Sequence, residues 1–259
     1  MAALGFRLIA NVSRPDAALV EGFRGAATGH VGDALGRSAA MDASIKPVSP
    51  VISFCGVAFT VKTRPVDNLV VWKALQLAQP GDVLVIATGQ HLAHSTWGDL
   101  TSRVGAGRGL AAMVTDGAVR DLDGITEVGL PVFAAAVTPN SPQKDGPGEI
   151  NVPIACGGQV VHPGDIVVGD RDGVVVVPRQ DAAAALIELE RIRSYETERL
   201  EAINRGDYFP PGLDQLLVER GAVLVDAPGD GQGSASSCSA LDTPRASNLP
   251  AGERFQAPL

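Results

Sequence analysis

Apolar positions recur along the chain with two different periods. Residues 69–79 (LVVWKALQLAQ) carry them at helical spacing, and Pro80-Gly81 stops the pattern. VLVIAT, over 83–88, is an unbroken apolar run of strand length bounded by turn residues, and LAAMVT (110–115) and PVFAAAV (131–137) repeat it. Helices are predicted between these runs, over 97–107 and 119–128. A helical opening is predicted over 14–36, and strands around Gly56 within 51–64. Strands alternating with helices predict a parallel sheet of βαβ units. From 150 to 177 the chain changes character: short β runs are split by GG, PGD and DRDG, the turn chemistry of a compact antiparallel section. A long helix is predicted over 180–204, with Asp181 as its N-cap and Gly206 and Pro210-Pro211 ending it. Leu189, Ile192, Leu200 and Ile203 form an apolar stripe along it, with Glu196 at its centre.

Composition sharpens this reading. Of 259 residues, 45% are hydrophobic but only 4% aromatic, so Val, Ile, Leu and Ala must build the core. The predicted organisation is a single domain over 1–226. Residues 227–259, dominated by Ala, Gly, Pro and Ser, are predicted to be a disordered tail, because they bury too little to offset ordering. A net charge of −8 argues against a uniform nucleic-acid face. No apolar run approaches the roughly 20 residues that span a bilayer, and the N-terminus lacks a signal-peptide core. Cys55, Cys156 and Cys238 are odd in number and widely spaced, without a disulfide or CxxC pattern; a reducing cytoplasm is expected.

Chemistry concentrates at the predicted strand ends, where open α/β sheets bind ligands. After VLVIAT comes Gly98-Asp99-Leu100-Thr101 at a helix start; after LAAMVT come Asp116-Gly117 and Arg120-Asp121. Neighbouring strands would bring Asp99, Arg120 and Asp121 to one edge. Free N–H groups near Leu100 and Thr101 suit a carboxylate, Arg120 can grip one with two hydrogen bonds, and Asp121 suits a hard divalent cation. Each also has a structural reading: Asp at a helix start is usually a cap, and Arg-Asp often a surface pair. A carboxylate amid a buried stripe is costly unless paired or near a metal, which marks Glu196 as either a site residue or a buried ion pair. His91 and His94 lack a third ligand, and GAGRG (105–109) suits helix packing better than a nucleotide loop.

GDLTSRVGAGRGLAAMVTDGAVRD resembles the signature of the RraA-like family, which includes the 4-hydroxy-4-methyl-2-oxoglutarate aldolases. That signature is an acidic residue, twenty intervening residues and Arg-Asp; Asp99, residues 100–119 and Arg120-Asp121 satisfy it. IKPVSPVISFCGVAFTVKTRPVDNL and INVPIACGGQVVHPGDIVVGDRDGVVVVP are similar to the family's two β sections, so the likeness spans about 15–210. The resemblance implies a swivelling β/β/α fold of the phosphohistidine-domain type, assembled as trimers or paired trimers. It implies a class II aldolase using Mg²⁺ or Mn²⁺, which cleaves a 4-hydroxy-2-oxo acid to pyruvate and a second keto acid and often decarboxylates oxaloacetate. Asp121 would be the metal ligand and Arg120 would bind the pyruvyl group. Gly98, Asp99, Leu100 and Thr101 would line the substrate, with Asp99 acting through a metal-bound water. Glu196 would reach a neighbouring subunit's site. The alternatives are a regulator that binds ribonuclease E with a vestigial site, or an enzyme on another 2-oxo acid such as a sugar-acid derivative. The family's regulators lack the helix Glu, so Glu196 favours the enzyme.

Overall fold

The computed structural model describes residues 4–224. In chain order its elements are α1 (Ala17–Gly22), α2 (Thr28–Ala34), β1 (Lys46–Pro47), β2 (Phe54–Thr63), α3 (Leu69–Leu77), β3 (Asp82–Ala87), β4 (Ser95–Trp97), α4 (Asp99–Gly107) and β5 (Ala112–Val119). There follow α5 (Leu122–Val128), β6 (Val132–Val137), β7 (Gly148–Ile150), β8 (Ile154–Cys156), β9 (Gln159–Val161), β10 (Ile166–Gly169), β11 (Val174–Val177), α6 (Ala182–Asn204) and α7 (Leu213–Glu219).

The main sheet runs β1-β6-β5-β3-β2-β10-β11. Its centre, β6-β5-β3-β2, is parallel as the alternating pattern predicts, and β1, β10 and β11 flank it antiparallel. β3 is buried along its whole length, which explains its unbroken apolar run: both faces of a covered parallel strand are core. Trp97, Phe59, Leu84, Ile86 and Met113 fill one face of the sheet together with residues of α3 and α5. Val83, Val85, Val114, Phe133 and Cys156 fill another cluster, reached by the separate β8-β9 hairpin. Its aromatic pair, Phe54 and Phe133, meets edge to face with centroids 5.1 Å apart. Burial of the Cys55 thiol pushes it up to about 11, and deeper burial raises Cys156 further; neither is a ready nucleophile.

Several boundaries differ from the sequence reading. The helical opening over 14–36 is two short helices, separated where Gly25 takes φ +71°. β5 continues to Val119, past the predicted end at 115, so the next helix starts only at Leu122. Residues 95–97, which contain the predicted start of a helix at 97, are the strand β4. The described chain divides into two units, with the boundary between Ser194 and Tyr195 inside α6. The proposed tail, 227–259, and Cys238 lie outside the described residues. Among the described residues no helix is long and apolar enough to cross a membrane.

Candidate functional site

The site is assembled where β4 and β5 run side by side. Arg120, immediately after β5, donates its backbone N–H to Trp97 O at the end of β4 (3.0 Å). The next residue, Asp121, takes a left-handed backbone (φ 59°, ψ 48°), which ends the strand and turns the chain into α5. Asp is one of the few side chains that accept this geometry cheaply. On the facing side, Gly98 caps α4. Its N–H donates to Thr101 Oγ1 (2.9 Å), whose hydroxyl lies the same distance from Gly98 O. Trp97 Nε1 donates to Ser102 Oγ (2.6 Å), locking the first turn of α4 onto the strand before it. The N–H groups of Asp99, Leu100 and Thr101 precede the first intrahelical bond, so they carry the partial positive charge of the helix end.

Gly98 is needed for a steric reason. A Cβ there would lie 2.6 Å from Asp121 Oδ2 and 3.2 Å from Arg120 Cγ. The missing side chain is what leaves the face of the Asp121 carboxylate open.

Gly98, Leu100, Thr101, Arg120 and Asp121, five of the residues singled out in the sequence, line one open cavity of about 230 Å³. The Arg120 guanidinium ties it together: Nε lies 3.2 Å from Asp121 Oδ2, and another nitrogen donates a short hydrogen bond to Ser141 Oγ. Asp99 departs from expectation. It does not line the cavity; its carboxylate leans on α5, where a Cβ on Gly124 would lie 2.5 Å from Asp99 Cγ. Asp99 Oδ1 forms an ion pair with Arg103 Nε at 2.8 Å. Arg103 also bonds Glu127 (3.1 Å); that bond, and then the Asp99 charge, raise the guanidinium above its ordinary value.

Glu196 also departs from expectation. Leu189 and Ile192 are buried, but Leu200 is 55% and Ile203 40% exposed, and Glu196 itself is exposed. Of the four stripe residues, only Leu189 and Ile192 are buried. His91 and His94 stack with Nε2 and Nδ1 3.1 Å apart, a hydrogen-bonded pair. Among the described residues no group of three or more His, Cys, Asp or Glu is placed to hold a metal.

Sequence reasoning missed seven further wall residues: Asn68, Trp72, Ser95, Trp97, Ser141, Pro142 and Lys144. Of these only Lys144 carried a sequence signal, as one of just four lysines, and nothing in its neighbours pointed to a cavity. The chemistry present is a two-cation wall, a helix N-terminus and one hard carboxylate oxygen with open space before it. That donor set suits a divalent cation that keeps most of its water, as Mg²⁺ and Mn²⁺ do.

The RraA-like family, described as Aldolase/RraA, matches residues 28–176. A Halalkalibacterium halodurans protein provisionally named 4-hydroxy-4-methyl-2-oxoglutarate aldolase is 34% identical over 193 residues, covering 74% of this chain and 92% of that one. The Thermus thermophilus protein named 4-hydroxy-4-methyl-2-oxoglutarate aldolase is 36% identical over 112 residues, 43% of this chain and 68% of that one. Among solved structures, Streptomyces coelicolor RraAS2, described as an unusual member of the RNase ES inhibitor RraA protein family, aligns with a TM-score of 0.63 and 28% identity. It covers 74% of this chain and 98% of its own.

Proposed function

The chain belongs to the RraA-like family, and on that premise we propose that it is a divalent-metal-dependent pyruvate aldolase, cleaving a 4-hydroxy-2-oxo acid such as 4-hydroxy-4-methyl-2-oxoglutarate. The observation that carries this reading is the convergence of Arg120, Asp121 and the α4 N-terminus on one cavity. The substrate carboxylate lies against the N–H groups of Leu100 and Thr101 and the Arg120 guanidinium. Asp121, whose carboxylate face Gly98 leaves open, would hold the cation. A bound Mg²⁺ or Mn²⁺ supplies Lewis acidity at the 2-oxo group.

Cleavage of C3–C4 sends its electron pair toward the 2-oxo oxygen, and Arg120 places fixed positive charge where that enolate develops. Protonation at C3 then gives pyruvate, and the former C4 carbon leaves as a carbonyl. Oxaloacetate decarboxylation passes through the same enolate, so one site serves both. The C4 hydroxyl proton needs a base. Asp99, turned toward Arg103, is a positioning residue for the α4 turn in this reading. Glu196, exposed on its own chain, fits a role at a neighbouring subunit's site within a trimer or paired trimers.

The test is pyruvate release from 4-hydroxy-4-methyl-2-oxoglutarate and from oxaloacetate, with and without EDTA. Release that EDTA abolishes and Mg²⁺ or Mn²⁺ restores supports the reading. A folded protein that releases no pyruvate from either substrate in Mg²⁺ or Mn²⁺ overturns it, and favours the protein-binding regulator that the likeness to RraAS2 offers as a second reading.

A further inference from the structure

Away from the cavity, one pair of side chains brings metal-binding nitrogens together. The chain has four histidines, and two of them, His91 and His94, stand three residues apart in the loop between β3 and β4. Their rings lie 19° from parallel with centroids 5.3 Å apart, and His91 Nε2 lies 3.1 Å from His94 Nδ1. Both residues are half-buried, so water and a hydrated ion can reach them.

The loop is pinned on either side of the pair. Asp116, buried in β5, accepts from Thr88 N (2.7 Å) and Gln90 N (3.1 Å), and His91 N donates to Thr88 Oγ1 (3.1 Å). Ala93 O accepts from Asn140 Nδ2 (2.9 Å), and Ser95 donates its N–H (3.0 Å) and its hydroxyl (2.8 Å) to Asn140 O. A loop fixed in this way holds the two rings together before any ligand arrives, which lowers the ordering cost of binding.

The separation of the two nitrogens suits a shared ion as well as a shared proton. Imidazole nitrogens sit about 2.0–2.1 Å from Zn²⁺, so two of them 3.1 Å apart subtend about 95–102° at one ion. That angle falls between the octahedral value of about 90° and the tetrahedral value of about 109°. A neutral imidazole has one bare nitrogen, so both rings face the ion once the shared N–H moves to the other nitrogen of its own ring, a tautomer shift with no net loss of a proton.

We propose that His91 Nε2 and His94 Nδ1 form a two-imidazole site for a borderline transition-metal ion of the Zn²⁺, Ni²⁺ and Cu²⁺ class, with water completing the coordination. Imidazole favours these ions, whereas a carboxylate oxygen such as that of Asp121 favours Mg²⁺ or Mn²⁺, so the two sites differ in chemistry as well as in place. Among the described residues no third His, Cys, Asp or Glu joins the pair, which leaves positions on the ion open. The inference goes beyond the aldolase reading and does not depend on it.

The test reads the ring nitrogens directly. The full-length protein, ¹⁵N-labelled in its histidines, is titrated with ZnCl₂ in excess Mg²⁺ at about pH 8, where protons compete little for imidazole. One Nε2 and one Nδ1, on different histidines, should shift together and saturate at one Zn²⁺ per chain. His91→Ala and His94→Ala should each weaken binding by at least about tenfold, because a single imidazole loses the effective concentration of its neighbour. Asp121→Asn should bind Zn²⁺ as the wild type does. If an alanine variant does not fold, His91→Gln or His94→Gln replaces it with the same expectation. Two outcomes overturn the inference: Zn²⁺ that leaves both nitrogens unmoved in the wild type, or affinity that is unchanged in the folded histidine variants. The pair would then be a hydrogen-bonded clasp on its loop.

Discussion

Two aspartates five residues apart, Asp116 within β5 and Asp121 just beyond it, have opposite fates. Asp116 is 3% exposed, and its carboxylate accepts from Thr88 N (2.7 Å), Thr88 Oγ1 (3.0 Å) and Gln90 N (3.1 Å). Asp121 keeps a side chain 45% exposed, and among the described residues its carboxylate has one partner, Arg120. Both sit at the ligand-bearing edge of the sheet, so position alone does not separate them. Satisfaction does: Asp116 has spent its lone pairs holding the turn after β3, while Asp121 still has an oxygen to offer.

The comparison can be broken by exchanging the expected losses. Asp121→Asn should cut pyruvate release by about a thousandfold, roughly 4 kcal/mol of transition-state stabilisation. Its melting temperature should move by no more than about 2 °C, because Asn tolerates the left-handed backbone. Parallel kinetics and melting curves decide it. A large melting shift in Asp121→Asn would put both aspartates in one class.

Asp116→Ala should do the reverse. It strands two backbone donors and a hydroxyl, at about 3 kcal/mol, and lowers the melting temperature by about 6–12 °C. Activity per folded molecule should change little.

Arg120→Lys sharpens the contrast from the other partner. It keeps the charge and loses the planar fork that reaches Asp121 and Ser141 together. A fall of about a hundredfold in kcat/KM with near-native melting is the expected result.

The smallest effect concerns a carboxylate between these extremes. Burial pushes Asp170 up, but hydrogen bonds from Thr28 N (2.8 Å), the Thr28 hydroxyl (2.7 Å) and Asp172 N (2.9 Å) outweigh it and hold the group below its ordinary value of 3.8. A carboxyl lowered in the native state stabilises the fold at every pH above its unfolded value, and that contribution is lost as pH falls through the native one. Asp170→Asn should cost about 1 kcal/mol at pH 7, and the gap from wild type should close in denaturant titrations as pH falls through the native value.

Much of this was legible in the chain. The central strands stand out as apolar runs because a doubly covered strand has no polar face to show. Arg120 and Asp121 stood out because a charged pair follows an apolar run, and they line the cavity at the end of β5. Asp99 was named but misdirected: its orientation depends on the absence of a side chain at Gly124, in a helix it does not belong to. The stripe through Glu196 misled in the same way, since periodicity says which face is apolar but not how far the cover extends. Lys144 was invisible as a cavity residue, because the buried Asp67 that fixes its loop lies far upstream in sequence. Local pattern reports local geometry, while Asp99 and the Lys144 loop take theirs from distant parts of the chain.

The left-handed turn at Asp121 also bears on how such a protein can change over generations. Backbone strain there admits few replacements, and the mildest of them, Asn, differs from Asp by one ionisable oxygen. A lineage can thus silence the chemistry in a single substitution while the strand, the turn and the surface around them persist. From that point selection is free to keep the scaffold for whatever else it touches.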